Sequence, residues 1–260
     1  MTNTLPISPR EVIHHLKMSC QIPQVVEEIA MQKIIVDTAN SAGITVTEDE
    51  LQQEGDRLRF AKKLVKAADT WAWLKNHHLN LDEFEELVRN KVLSEKVAHH
   101  LFTDKVESFF YQNRLDFMAA ATYQVTLDDY DLALELFYAI QEDELTFPEI
   151  AREYIPDLQL RRAGGYKGIQ RRTDFRPEVA AAVFAATAPE IIKPIVTSKG
   201  VFLIWVEEII QPELTEELRE EIITDLFDVW LKQQIQQMEI LTSFDSNIDK
   251  QASEDSLMQA

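Results

Sequence analysis

From residue 9 to about residue 118, apolar positions recur at helical spacing and polar residues separate the runs. Val25, Ile29, Ile34, Ile35 and Val36 form one apolar face that breaks at Gly43. Thr47-Glu-Asp-Glu50 reads as a capping box, in which the Thr oxygen and the Glu carboxylate satisfy the free amide groups of a helix start. Leu51, Leu58, Phe60 and Leu64 continue from it as a core-facing stripe. Asn80-Leu-Asp-Glu83 opens the next helix, which carries Phe84, Leu87 and Val88. A long helix follows with Val92, Leu93, Val97, Leu101, Val106, Phe109 and Phe110. No proline falls between residues 24 and 147, as a chain of packed helices requires.

The period changes near residue 119. Ala121-Thr-Tyr-Gln-Val-Thr126 has the β-branched and aromatic content of a strand. Residues 128–142 are amphipathic, and a shorter helix over 147–154 stops at Pro156. A glycine-rich segment then reads as a loop, followed by a helix over 177–185. Strands over 192–196 and 201–206 meet at a Lys-Gly turn. Thr215 caps a last helix whose Glu216 and Glu217 suit its dipole; Leu218, Ile222, Leu226 and Val229 mark its buried stripe. After Ser243 the chain turns polar, which reads as a disordered tail. The fold class is α+β. The expected domains are a helical domain over 1–118, a small antiparallel-sheet domain over 119–211, a C-terminal helix over 212–243, and the tail over 244–260.

The 260 residues are 45% hydrophobic, enough for one or two packed domains. No run of apolar residues reaches membrane-spanning length, so no membrane insertion is expected. The first ten residues lack the basic start and apolar stretch of an export signal, so a cytoplasmic location is the expectation. Cys20 is the single cysteine and lies in an apolar helical pattern, which reads as a buried thiol. The formal net charge of −19 makes nucleic acid an unfavourable partner. The charge is uneven: Arg161, Arg162, Lys167, Arg171, Arg172 and Arg176 face one acid, Asp174, across residues 161–176. This run is either a solvated loop or a basic rim that attracts acidic peptide.

The chemistry concentrates in the same stretch. Tyr154-Ile-Pro-Asp157 precedes Ala163-Gly-Gly-Tyr-Lys-Gly168; three of the six glycines fall within residues 164–168. Phe175-Arg-Pro-Glu-Val179, Phe184 and Pro194-Ile-Val-Thr197-Ser-Lys-Gly200-Val-Phe202 follow. This order resembles the parvulin (PpiC-like) family of peptidyl-prolyl cis-trans isomerases, without insertions from Tyr154 to Val206. That family has Tyr-Ser-x-Asp, Gly-Gly-Asp-Leu-Gly, a Met-x-x-x-Phe pair and Pro-Val-x-Thr-x-x-Gly-x-His in the same order. Helices first, this domain second and a closing helix third also resembles the foldases of the SurA and PrsA type, whose helical segment is a chaperone module; the resemblance implies that the C-terminal helix over 212–243 packs back onto the helical domain.

The resemblance implies a site. The family's Met and Phe fall on Phe175 and Val179, with Phe184 on the same segment. These residues either keep an apolar cup for a proline ring or fill it. Asp157 falls on the acidic position beside the substrate amide, and Thr197 on a strand-end Thr of the family's hydrogen-bond network, from which it could orient Gln124. The family's two strand histidines fall on Gln124 and Phe202. All six histidines lie at or before His100, so no histidine pair exists in this domain. The implied catalytic residues are Asp157, Gln124 and Thr197. The implied substrate contacts are Phe175, Val179, Phe184 and Phe202, with Arg171 and Arg172 on the rim.

The pairs His14-His15, His77-His78 and His99-His100 project about 100° apart on a helix, and none has a further ligand at usable spacing, so no metal is expected. No cofactor is implied either. Trp71, Trp73, Trp205, Trp230 and the run Phe109-Phe110-Tyr111 read as packing residues rather than as peptide-binding surface. Two functions follow. One is a prolyl isomerase and foldase acting on proline-containing peptide or unfolded protein. The other is a non-catalytic peptide-binding chaperone or escort, in a peptide maturation or export system, with an acidic ligand. No nucleophile elbow or phosphate-binding loop supports a hydrolase or transferase.

Overall fold

A computed structural model describes residues 5–242. The expected tail, 244–260, lies outside the described residues. The described residues divide into two compact units, one running to residue 104 and resuming at 220, and one of residues 105–219.

The first unit is helical. It holds α1 (Pro9–Met18), α2 (Ile22–Ala42), α3 (Glu48–Ala61), α4 (Ala67–Asn76) and α5 (Leu81–Phe102), together with most of the last helix, Glu216–Gln236. Two of the starts read from the sequence are built as expected. Thr47 and Glu50 cap α3 reciprocally, and Asn80 and Glu83 cap α5 in the same way. Helix α5 is the spine, packing against both α2 and α3. Glu54 is buried on α3 and is held by Lys91 from α5 and by Arg57 at 3.0 Å.

Five sequence readings fail in this unit. Ile29, placed on the apolar face of α2, is 52% exposed. Phe60 is 76% exposed although it sits at core spacing, in the last turn of α3, which ends at Ala61. Trp71 is 57% exposed rather than packed. Cys20 is exposed, because it lies in the turn after α1 with φ 56° and not within a helix. The last helix buries Leu218, Ile222, Ile223, Phe227 and Leu231, whereas Val229 is 53% exposed.

The second unit begins with α6 (Val106–Gln112) and contains one sheet. Its elements are β1 (Ala119–Leu127), α7 (Tyr130–Gln141), α8 (Phe147–Tyr154), α9 (Leu158–Arg162), β2 (Tyr166–Arg171), α10 (Pro177–Val183), β3 (Glu190–Thr197) and β4 (Gly200–Ile210). The chain closes with α11, the helix Glu216–Gln236. The sheet is antiparallel throughout, in the order β2-β1-β4-β3. The segment read as a glycine-rich loop is therefore only half loop: β2 starts two residues after Gly164 and pairs with β1.

Alternation along the strands gives the sheet two buried faces. Val125, Leu127, Val201 and Leu203 face α7 and α8 and pack on Leu136, Phe137, Phe147 and Ile150. Ala120, Phe202, Ile204 and Val206 face the other way, onto Val179 and Val183 of α10. This second face carries the candidate site.

Candidate active site

Glycine fixes the edge of the site. Gly165 has φ +89°, and a Cβ there would stand 3.2 Å from both the Gln124 carbonyl oxygen and a Phe147 ring carbon. Its own carbonyl accepts from the Gln124 amide at 2.9 Å, joining the start of β2 to β1. Glycine meets both demands without strain, since the conformation disfavours a side chain and the close approach leaves little room for one. Gly200 plays the same part in the β3–β4 turn, where a Cβ would come within 2.8 Å of the Leu127 carbonyl.

A cavity of about 430 Å³ opens between β1, β2, α10 and the β3–β4 turn, lined by Gln124, Thr126, Lys167, Gln170, Asp174, Phe175, Arg176, Val179, Lys199 and Phe202. Four residues expected from the sequence thus converge here: Gln124, Phe175, Val179 and Phe202. Register explains the convergence. Thr126 lies opposite Phe202 and Gln124 opposite Ile204, so two polar side chains of β1 share a face with the apolar side chains of β4. Val179 and Phe202 are buried, and Phe175 packs against their cluster. One wall is apolar, and the wall beside it can hydrogen-bond.

The polar pair is Gln124 with Thr126, a residue the sequence reading did not single out. Gln124 Nε2 donates to Thr126 Oγ1 at 3.3 Å. Spacing of two on a strand puts both on one face, and that periodicity was the available signal. Thr197 does not orient Gln124. Its hydroxyl donates to the Gly200 carbonyl at 2.8 Å and accepts from the Lys199 amide at 3.1 Å, so it holds the β3–β4 turn. Asp157 is also elsewhere. It is exposed, and it caps α9 by accepting from the Leu160 amide at 2.7 Å. Phe184 stands behind the lining, edge-on to Phe175 with ring centres 5.9 Å apart.

The basic rim is built from other residues than Arg171 and Arg172. Those two guanidinium groups lie over aromatic rings, Arg171 over Phe117 at 5.9 Å and Arg172 over Phe184 at 5.4 Å. The cations at the cavity are Lys167, Arg176 and Lys199. Arg176 donates to Ser198 Oγ at 2.8 Å, which ties it to the β3–β4 turn. Asp174, the one acid in the lining, accepts from the Arg171 amide at 2.8 Å. On the opposite face of β1, burial pushes the Tyr123 phenol above its ordinary pKa, with Glu207 adding to the rise. Among the described residues no group of three or more His, Cys, Asp or Glu is placed to hold a metal ion.

Residues 121–208 match the rotamase family, PPIC-type PPIASE domain. The sheet-containing unit therefore includes a domain of this parvulin-type isomerase class. Over 187 residues the chain is 25% identical to the foldase protein PrsA of Caldanaerobacter subterraneus subsp. tengcongensis, a match covering 71% of this chain and 56% of that foldase. The chain thus spans about half the length of the curated relative it matches. Among solved structures, the peptidylprolyl isomerase PrsA from Bacillus cereus aligns over 91% of this chain and 90% of its own, with 17% identity and a TM-score of 0.51, a likeness of fold. A SurA-like chaperone of Campylobacter jejuni aligns over 100% of this chain and 97% of its own, with 18% identity and a TM-score of 0.35.

Proposed function

We propose that this chain is a foldase that isomerises Xaa-Pro bonds in peptide or unfolded-protein segments, with the cavity on the α10 face of the sheet as its active site. The observation that carries the reading is the meeting of Gln124 and Thr126 with Phe175, Val179 and Phe202 in one cavity of a PPIC-type domain. The reaction breaks no covalent bond. Its barrier, roughly 18–20 kcal/mol, is the loss of amide resonance as the bond twists. Phe175, Val179 and Phe202 would hold the proline ring still. The Gln124 amide and Thr126 hydroxyl would then hydrogen-bond the carbonyl as it leaves the amide plane. Neither role needs an ionisable group, so the absence of histidine in this unit changes the donor without removing it.

The cations favour a narrower substrate. Lys167, Arg176 and Lys199 around an apolar cup suit a proline flanked by an acidic residue. The same cations favour the second reading, a non-catalytic escort that holds acidic proline-containing peptide. Exchange spectroscopy on a panel of short Xaa-Pro peptides separates the two. Isomerisation above the spontaneous rate, weakened in Gln124→Leu, is expected of the foldase. Binding without rate enhancement for any Xaa would leave the escort.

A further inference from the structure

The helical unit has a corner that its packing leaves unexplained. Residues 57–81 carry six Lys and Arg and a single acid, Asp69, in a chain of net charge −19. At the centre of this run α3 turns into α4. The corner is firmly built. Lys62, Lys63 and Leu64 donate to the carbonyls of Leu58, Phe60 and Arg59 at 2.8–3.0 Å. Lys63 takes φ 59°, and Leu64 is buried beneath. Phe60 and Val65 consequently point outward, 76% and 73% exposed, with Trp71 57% exposed on the first turns of α4.

The charges sort by direction. Arg57 pairs with Glu54, and Arg59 pairs with Asp56 and donates to Thr70, so both turn back onto the helices. Asp69 accepts from the Lys66 amide as a helix cap. The remaining acids near Trp71, Glu48 and Glu85, line a cleft that Trp71 and Arg59 also line, and Glu85 is paired with Arg89. Lys62, Lys63 and Lys66 are exposed, and among the described residues none has an ion-pair partner. The corner therefore presents Phe60, Val65 and Trp71 interleaved with three unpaired ammonium groups.

We propose that the α3–α4 corner is a peripheral docking surface for an anionic lipid bilayer. Bulky apolar side chains standing clear of the fold enter the headgroup boundary, and lysines between them meet anionic headgroups. Three lysines without ion-pair partners beside these apolar side chains complement a surface of anionic headgroups. The protein's overall negative charge does not oppose this contact. Charges more than about 8 Å from the surface are screened at physiological salt, so the local lysines govern it.

The test is co-sedimentation of the full chain with phosphatidylcholine vesicles, with and without a phosphatidylglycerol fraction. Partition onto the phosphatidylglycerol vesicles alone is expected, weakening as salt rises. Each lysine near the surface is worth about fivefold in partition, so Lys62→Gln/Lys63→Gln/Lys66→Gln should lower it about a hundredfold. Phe60→Ser/Val65→Ser should abolish it. Lys33→Gln/Lys193→Gln, which changes exposed lysines elsewhere, should leave it unchanged. The altered side chains are exposed, and matching circular dichroism melts would exclude unfolding. No partition, partition unaffected by both corner variants, or binding to soluble heparin without binding to vesicles would overturn the proposal.

Discussion

At the scale of single residues, the site rests on one glycine and one amide. Gly165→Ala would force a Cβ into a left-handed backbone and against the Gln124 carbonyl. The strain alone costs about 1–2 kcal/mol. A denaturant melt should show a loss of at least that size, together with weakened isomerisation, because the displaced carbonyl belongs to the strand that carries Gln124. Gln124→Leu keeps the bulk and removes the donor. With a net hydrogen bond near 1–1.4 kcal/mol, kcat/KM on Xaa-Pro peptides should fall on the order of tenfold while the melting temperature holds. Glu50 gives a residue-scale prediction in the helical unit. Its bonds to Lys96 and to the Thr47 amide lower its pKa from 4.5 to about 2. The folded form therefore holds this carboxylate ionised where the unfolded form protonates it. Its stabilisation is complete above about pH 4.5 and fades as pH falls towards 2. Thermal unfolding across that window should be less pH-dependent in Glu50→Gln than in the parent.

At the scale of elements, legibility followed the physics each pattern encodes. Helix starts were readable at Thr47 and Asn80 because a cap is a local exchange of hydrogen bonds between residues three apart. The edge strand β2 was hidden, since Tyr166-Lys-Gly-Ile-Gln-Arg171 has little burial on either face and is held by its ladder to β1. For the same reason the cavity's cations could be counted from the sequence but not aimed. Arg171 and Arg172 lie in the same charged run as Arg176, yet they stack on Phe117 and Phe184 while Arg176 reaches the cavity. Asp157 makes the same point. Its place before the glycine pair suggested chemistry, but its carboxylate caps α9. Asp157→Ala should cost about 1 kcal/mol of stability in a urea melt. It should leave kcat/KM on peptides unchanged; a fall matching that of Gln124→Leu would return the residue to the active site.

At the scale of the whole molecule, the decisive feature is a cationic cavity on a strongly acidic protein. A uniformly acidic surface would repel acidic peptides at long range, and a uniformly basic one would bind them without regard to proline. Here Lys167, Arg176 and Lys199 surround an apolar cup while the chain as a whole carries −19. Attraction that bears on the proline site should therefore act only at short range from the cavity, and selectivity should be set by the residue beside proline. Glu-Pro peptides should show a lower KM than Ala-Pro peptides, and Lys-Pro peptides a higher one. Lys167→Gln/Lys199→Gln should bring the three together by raising the first and lowering the last, with Ala-Pro turnover preserved. Because the contact is made at the cavity mouth, within a screening length of about 8 Å, moderate salt should shrink the preference without erasing it. A Glu-Pro preference that vanished at modest ionic strength would instead place the discrimination in the long-range field, which the acidic remainder of the molecule cannot supply. Equal KM values across the panel at low salt, with isomerisation intact, would mean that the cup reads proline alone.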